Sequence, residues 1–315
     1  MDLLIEVIPF ITSRRNEEDM VDRLNFQYTA YFFGFAAALI MSKQYMGTPI
    51  ECWTPAEFRK GWNEYARDYC LIENTYFVPL DDPNLPDFHT RTKQELPYYQ
   101  WVQFVLVILA FFFMVPHFFW RSVNWQTGIQ VRSIIDTCAK LVGQPGGEQA
   151  TPLKKVASNF SRSFAAQSSS GGAARGLTSL FARSTNGQYV TLCYVITKLL
   201  FIINIIVQLF VLHVFLGFTP ILAFSDGINS DWKNTGLFPR STMCDFEVRG
   251  KGNIQRYSVQ CVLSLNMFNE KIFVLIFAWL TVLLLATIGN AFQWLMFVYS
   301  DSSRRNFAVR MLKSQ

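Results

Sequence analysis

The segment "LPYYQWVQFVLVILAFFFMVPHFFWR", residues 96–121, decides the fold class of this chain. From Tyr98 to Trp120 it runs for 23 residues without an Asp, Glu, Lys or Arg. At about 1.5 Å per helical residue, that length crosses a hydrocarbon core of about 30 Å. The sequence therefore predicts a transmembrane helix over residues 98–120.

The residues at the two ends of this segment are typical of a membrane boundary. Tyr98, Tyr99 and Trp101 stand at its start, where an aromatic ring can be half buried while its polar atom reaches water. Arg121 follows its end and is predicted to anchor that end in the headgroups. Pro116 lies inside the segment and predicts a helix kink, because proline lacks the amide donor that a helix interior needs.

Three further apolar runs make this a protein with four membrane spans. Of its 315 residues, 51% are hydrophobic and only 16% are charged, which is too little charge to cover a soluble surface. The other spans are predicted at residues 26–46, 189–217 and 271–299. An even number of spans places both termini on the same side of the membrane.

The distribution of basic residues indicates that the termini are on the cytoplasmic side of the membrane. Segments 1–25, 121–188 and 300–315 together hold 15 Lys and Arg, whereas segments 47–97 and 218–270 hold 10. By the positive-inside rule, the first three are predicted to be a cytoplasmic N-terminal segment, a cytoplasmic loop and a short cytoplasmic tail. Segments 47–97 and 218–270 are then extracellular loops.

Cysteines support the same orientation. Each predicted outer loop carries two of them, Cys52 with Cys70 and Cys244 with Cys261, in the compartment where disulfides persist. Four cysteines allow three pairings, and sequence alone does not select one. Pairing cysteines of like depth would join the two loops, and one bridge inside each loop is the alternative.

The outer loops carry patterns of regular structure. Thr54 and Pro55 are predicted to cap and begin a short helix, because a threonine cap followed by proline favours a helix start. In the second loop, Phe246 and Val248 alternate before a glycine-rich turn and apolar residues alternate after it, which predicts a β-hairpin. The predicted fold is an all-α membrane protein of four transmembrane helices with two disulfide-linked extracellular loops, a short helix and a small β-hairpin, and cytoplasmic termini.

Several function classes lack their signatures in this chain. It has no Walker A motif, no H-E-x-x-H and no G-x-S-x-G, and its three histidines are too scattered for a metal site. We therefore expect no enzyme activity, no cofactor, no metal and no nucleic-acid partner. In the third span Thr197, Asn204 and Gln208 share one helix face, which suits an interhelical hydrogen bond or a pore.

The spans and outer loops carry five distinctive motifs: "CWTPAEF" (52–58), "NTYFVPL" (74–80), "YYQWV" (98–102), "GLFPRSTMCDFEV" (236–248) and "QCVLSLNMFNEKIF" (260–273). Together they resemble motifs of the innexins, the gap-junction proteins of invertebrates. The resemblance implies a subunit that assembles with the same or other innexin subunits into a ring of about eight around an aqueous pore. It also implies docking to a ring in the adjacent cell, a location in the plasma membrane at gap junctions, contact with membrane lipids, and the bridges Cys52–Cys261 and Cys70–Cys244.

The resemblance further implies that residues 1–25 fold into the pore as a funnel. Met1, Asp2 and Glu6 then become pore-lining candidates, and the two acids would favour cations. Lys43, at the outer end of the first span, either faces the permeating ions or extends to the headgroups.

Two other functions remain alternatives. One is a pannexin-like channel in the plasma membrane that does not dock. The other is a four-span adhesion or scaffold protein without a pore, although such proteins keep most of their cysteines in one outer loop.

Overall fold

The structure is a computed structural model, and it describes residues 19–79, 85–91, 95–126, 154, 157–158, 161, 189–217, 236–300, 302 and 305. It confirms the four predicted membrane helices. They are α1 (Met20–Met46), α4 (Tyr98–Gln126), α5 (Tyr189–Leu216) and α6 (Ser264–Tyr299), each long and apolar enough to cross a bilayer.

Two of these helices begin earlier than the predicted spans. Helix α1 starts at Met20 and not at residue 26, and α6 starts at Ser264 and not at residue 271. Apolar composition marks where lipid begins, whereas a helix extends as far as its backbone hydrogen bonds and packing allow. Both extensions carry buried polar side chains, which a hydropathy pattern does not assign to a span.

Helix α1 contains an irregular segment near its start. Leu24–Tyr28 adopts π-helical geometry between two α-helical stretches. Within it the buried Asn25 donates from Nδ2 to the carbonyl oxygen of Val21 and to Oγ1 of Thr287, at 2.9 Å each. A π-turn of this kind adds a residue to one helical turn and changes which side chains face inward.

The chain divides into two compact units. One comprises Thr29–Phe112 and Ile205–Leu284, and the other comprises Met1–Tyr28, Phe113–Asn204 and Leu285–Gln315. In the first unit Gln208 donates from Nε2 to the carbonyl oxygen of Leu109 at 3.3 Å, so this residue makes an interhelical hydrogen bond. Also in the first unit, Trp279 of α6 donates to Oγ1 of Thr29 at 3.0 Å.

The segments between the helices form a three-stranded antiparallel sheet. Its order is β1 (Ile50–Trp53), β3 (Ile254–Leu263), β2 (Ser241–Arg249). Strands β2 and β3 are the predicted hairpin, closed where Gly250 N donates to the carbonyl oxygen of Asn253 at 2.8 Å. Strand β1 was not predicted, because four residues are too few to show a period of two.

The short helix exists, but its predicted start is wrong. Helix α2 spans Lys60–Glu73, and Thr54 and Pro55 lie before it. Phe58 N donates to the carbonyl oxygen of Pro55 at 3.0 Å, which makes this stretch a turn, and Oγ1 of Thr54 bonds the side chain of Asn63 at 2.8 Å. A second, four-residue helix, α3, covers Phe88–Arg91.

Candidate functional site: a disulfide-held outer domain and a buried charge cluster

The domain made by β1, β2, β3 and α2, here called the outer domain, is held by two disulfides. Cys52 is bonded to Cys261, its register partner on the neighbouring strand, with the Cα atoms 3.9 Å apart. Cys70 of α2 is bonded to Cys244 of β2, with the Cα atoms 5.8 Å apart. Both bridges join the two loops, which is the pairing that the resemblance implies, and not one bridge inside each loop.

These sulfurs do not form a metal site. The Sγ atoms of Cys52, Cys70 and Cys261 lie within 4.8 Å of one another. A metal needs the thiolate form of cysteine, and both bridges already use these sulfurs. Their closeness instead places the two disulfides side by side in one core.

Apolar packing around the bridges joins helix to sheet. Phe246 of β2 stacks on Tyr257 of β3 with ring centroids 5.5 Å apart. Tyr69 of α2 lies 6.0 Å from the Phe246 ring, and Phe58 lies 5.1 Å from the Tyr257 ring. Phe58 and Tyr69 therefore pack on the hairpin, whereas Trp62 and Tyr65 of α2 are exposed.

The start of α4 belongs to this domain. Tyr99 is fully buried, and its hydroxyl donates towards the carbonyl oxygens of Cys70 and Leu71 at 3.4 Å each. Gln100 donates from Nε2 to the carbonyl oxygen of Leu71 at 2.8 Å. Among the predicted interface anchors, Trp101 is 58% exposed, as a lipid-facing anchor must be, whereas Tyr99 supports the outer domain from inside.

Arg91 of segment 85–91 and Tyr76 both contact Asp245 of the hairpin. Nη1 of Arg91 lies 3.0 Å from Oδ2 of Asp245, and the hydroxyl of Tyr76 donates to Oδ1 of the same carboxylate at 3.1 Å. Burial of Tyr76, and next to it the negative charge of Asp245, raises the pKa of this tyrosine to about 12. The backbone of Tyr76 also exchanges two hydrogen bonds with Met243, at 3.0 and 2.9 Å.

The second compact unit contains a buried charge cluster, defined here as Asp19, Asp22, Tyr194, Lys198, Asn290 and Trp294. The side chain of Lys198 is 2% exposed, and its Nζ lies 2.7 Å from Oδ1 of Asp22 and 3.3 Å from Oδ2 of Asp19. Nζ also donates to Oδ1 of Asn290 at 2.6 Å. The ammonium thus has an oxygen partner for each of its three protons.

The remaining members of the charge cluster complete the hydrogen bonding of the two carboxylates. Tyr194 donates its hydroxyl to Oδ2 of Asp22 at 2.9 Å. Asn290 donates from Nδ2 to Oδ2 of Asp19 at 3.1 Å, and the indole of Trp294 donates to the same oxygen. Sequence reasoning missed this cluster; its one signal was a lysine inside an apolar span, which requires a buried partner.

The remaining predicted site residues have diverse surroundings. Lys43 is exposed, and its Nζ lies 4.9 Å above the ring centroid of Phe268. Pro116 lies inside α4, and the neighbouring His117 stacks on Phe26 with centroids 4.0 Å apart. Tyr98 and Arg121 are half-buried. Met1, Asp2 and Glu6 lie outside the described residues.

Four membrane helices, joined outside by two cross-loop disulfides and a small sheet, define a multi-pass membrane protein with an extracellular domain built from two loops. The family model of the innexins matches residues 18–315, and the chain belongs to the innexin family, whose members form gap-junction channels. It is therefore a subunit of an oligomeric channel, and it assembles with innexin subunits.

Similarity to individual innexins extends over most of the chain. Innexin unc-9 of Caenorhabditis elegans is 37% identical over 305 residues, which cover 94% of this chain and 78% of that relative. Innexin-16 of Caenorhabditis elegans is 38% identical over 307 residues, covering 95% and 77%. Innexin-19 of Caenorhabditis briggsae is 35% identical over 312 residues, covering 96% and 71%.

Proposed function

We propose that this subunit forms a closed ring in the plasma membrane and that two rings, one from each of two adjacent cells, dock through their outer domains. The ring size that the family resemblance implies is about eight, in keeping with the closed symmetry of most homo-oligomers. Ions and small molecules then pass between the cells. The observation that carries the proposal is the outer domain, in which two loops distant in sequence are bonded into one compact body.

The construction of that domain supports a docking role. A surface that binds a partner across a gap must keep its shape without help from lipid, and flexible loops would lose conformational freedom on binding. Here the two disulfides, the sheet and the α2 packing remove that freedom in advance. Exposed aromatic side chains on the same domain, including those of Trp53 and Trp62, supply the residue types that interfaces favour.

The orientation and the pore lining are parts of the same proposal. Both termini and the 121–188 loop lie in the cytoplasm, as the positive-inside bias indicates. The residues before α1 extend into the pore, where Asp2 and Glu6 attract cations, and Lys43 lies on the permeation path at the other end of the first span. In this arrangement the protein conducts and does not catalyse.

Electron microscopy of the purified full chain in lipid nanodiscs and in detergent tests the proposal. We expect closed rings of about eight subunits with a central pore, and in detergent a fraction of rings joined head to head through the outer domains. Single rings only, at concentrations where native innexin rings pair, would favour the pannexin-like alternative. Monomers or dimers without a central pore would contradict the channel assignment and favour the scaffold alternative.

A further inference from the structure

The first turn of α1 is attached to two other membrane helices through a single lysine. Lys198 of α5 contacts Asp22 and Asp19 on α1 and its N-terminal flank, and it contacts Asn290 of α6. These residues come from three separate parts of the sequence. The segment that leads into the first span is therefore bonded to α5 and α6 before it has completed two helical turns.

Stability alone does not account for the buried ion pairs of Lys198. Removing an ammonium and a carboxylate from water costs several kcal/mol per ion, and the attraction between them repays this only with good geometry and further hydrogen bonds. An apolar packing of the same volume would stabilise the unit as well or better. A buried ion pair does better than apolar packing at one task, which is to fix a single relative position, because any shift leaves a buried charge without a partner.

The geometry of α1 shows what is being fixed. One turn after Asp22, Asn25 bonds to Thr287 of α6 at 2.9 Å, and Leu24–Tyr28 is π-helical. Asp22 and Asn25, three residues apart, share one helix face and are both buried, whereas the Met20 side chain is 76% exposed. Two attachment points a turn apart prevent both rotation of α1 about its axis and sliding along it.

We propose that Lys198 is a positioning residue for permeation: through Asp19 and Asp22 it fixes the direction in which the chain enters the first span. The proposal rests on the proposed function, in which the residues before α1 line the pore. Lys198 itself does not contact permeating ions, since its side chain is 2% exposed. It acts through the two aspartates, and its loss displaces them.

The test combines a local probe with channel recording on the full chain. A nitroxide label on Met20→Cys, in a chain carrying Cys138→Ser and Cys193→Ser, reports the motion of the first turn of α1. Lys198→Met removes the ammonium and leaves the buried Asp22 and the half-buried Asp19 without their counter-charge, so this variant risks failing to assemble. The double variant Asp22→Asn/Lys198→Met removes one charge of each sign and so leaves the net charge of the cluster unchanged. Asp19, which is 34% exposed, keeps its hydrogen bonds from Asn290 and Trp294.

We expect the assembled double variant to give narrower electron paramagnetic resonance lines from the label than the native protein. We also expect its unitary conductance to fall outside the native distribution. The control is Lys154→Met, an exposed lysine outside the membrane helices and outside the outer domain, which should leave both readouts at native values.

An assembled double variant with native line shape and native unitary conductance would overturn the proposal. A mobile label with unchanged conductance would likewise overturn the positioning role in permeation. If the native rings carry no current at all, the proposed function fails, and the label spectra still decide whether Lys198 fixes α1.

Discussion

Removing the inner disulfide by Cys70→Ser/Cys244→Ser isolates the contribution of one bridge to the outer domain. With Cys52–Cys261 intact, the inner bridge closes a ring of about 35 residues, formed by segments 52–70 and 244–261. Chain entropy then assigns the bridge about 4 kcal/mol at 25 °C, and measured disulfides fall at about 2–4 kcal/mol. Replacing both cysteines leaves neither half of this bridge as a thiol that could mispair.

Hydrogen exchange followed by mass spectrometry on the assembled full chain measures this loss directly. The amides of the β2–β3 hairpin exchange when the outer domain opens, so a loss of about 2–4 kcal/mol raises their exchange rates by roughly 30- to 700-fold. We expect this increase in peptides that contain Phe246 and Tyr257. The control is Cys193→Ser, a buried thiol of α5 in the other compact unit, which should leave the hairpin at its native rate.

The reasoning would be refuted by a double variant whose hairpin amides exchange at the native rate. That result would mean that packing alone holds α2 on the sheet. An increase shared equally by amides in the middle of α4 would also count against it, because the effect would then be general unfolding and not the loss of one bridge.

Three further predictions concern single side chains. Because the pKa of Tyr76 is raised to about 12 in the folded state, the stabilisation that its protonated hydroxyl contributes is present below pH 10 and is lost between about pH 10 and 12. Native protein should therefore lose thermal stability over this pH range, and Tyr76→Phe should lose less of it. Gly236→Ala should destabilise the outer domain by about 1–2 kcal/mol, because the φ of Gly236 is +65° and the new Cβ would lie 2.7 Å from the Phe77 ring. The control Gly61→Ala, which has open space around it, should be neutral or stabilising. Equal unfolding temperatures for the two variants would count against this prediction. Lys43→Gln should shift the reversal potential in asymmetric salt towards cation selectivity, and an unchanged reversal potential would place Lys43 off the permeation path.

The parts of the fold that sequence could predict are those with a long repeating signal. Four apolar runs predicted the four helices, and alternation on both sides of a glycine-rich turn predicted the β2–β3 hairpin. The start of α2 was predicted wrongly because Thr54 and Pro55 fit the local rules for a helix start, while packing of Phe58 on the sheet requires a turn there. Strand β1 forms because it pairs with β3, which lies more than 200 residues away in the sequence. The residues of β1 alone therefore carry no pattern from which the strand could be predicted.

The candidate site was less predictable than the fold. The disulfide pairing came from the family resemblance, since four cysteines leave three possibilities. Tyr99 has the sequence features of an interface anchor, and only the tertiary structure shows that it is buried under α2. The charge cluster depends on Lys198, Asp22 and Asn290 meeting from distant segments, so no spacing rule connects them.

Dual voltage clamp of paired cells tests the central claim, that this chain forms an intercellular channel. When both cells express the full chain, the account predicts a junctional current with discrete unitary steps. It predicts none when one cell of the pair expresses Cys70→Ser/Cys244→Ser and the other the native chain. Pairs of native-expressing cells without junctional current, at levels where rings are present in both membranes, would contradict it.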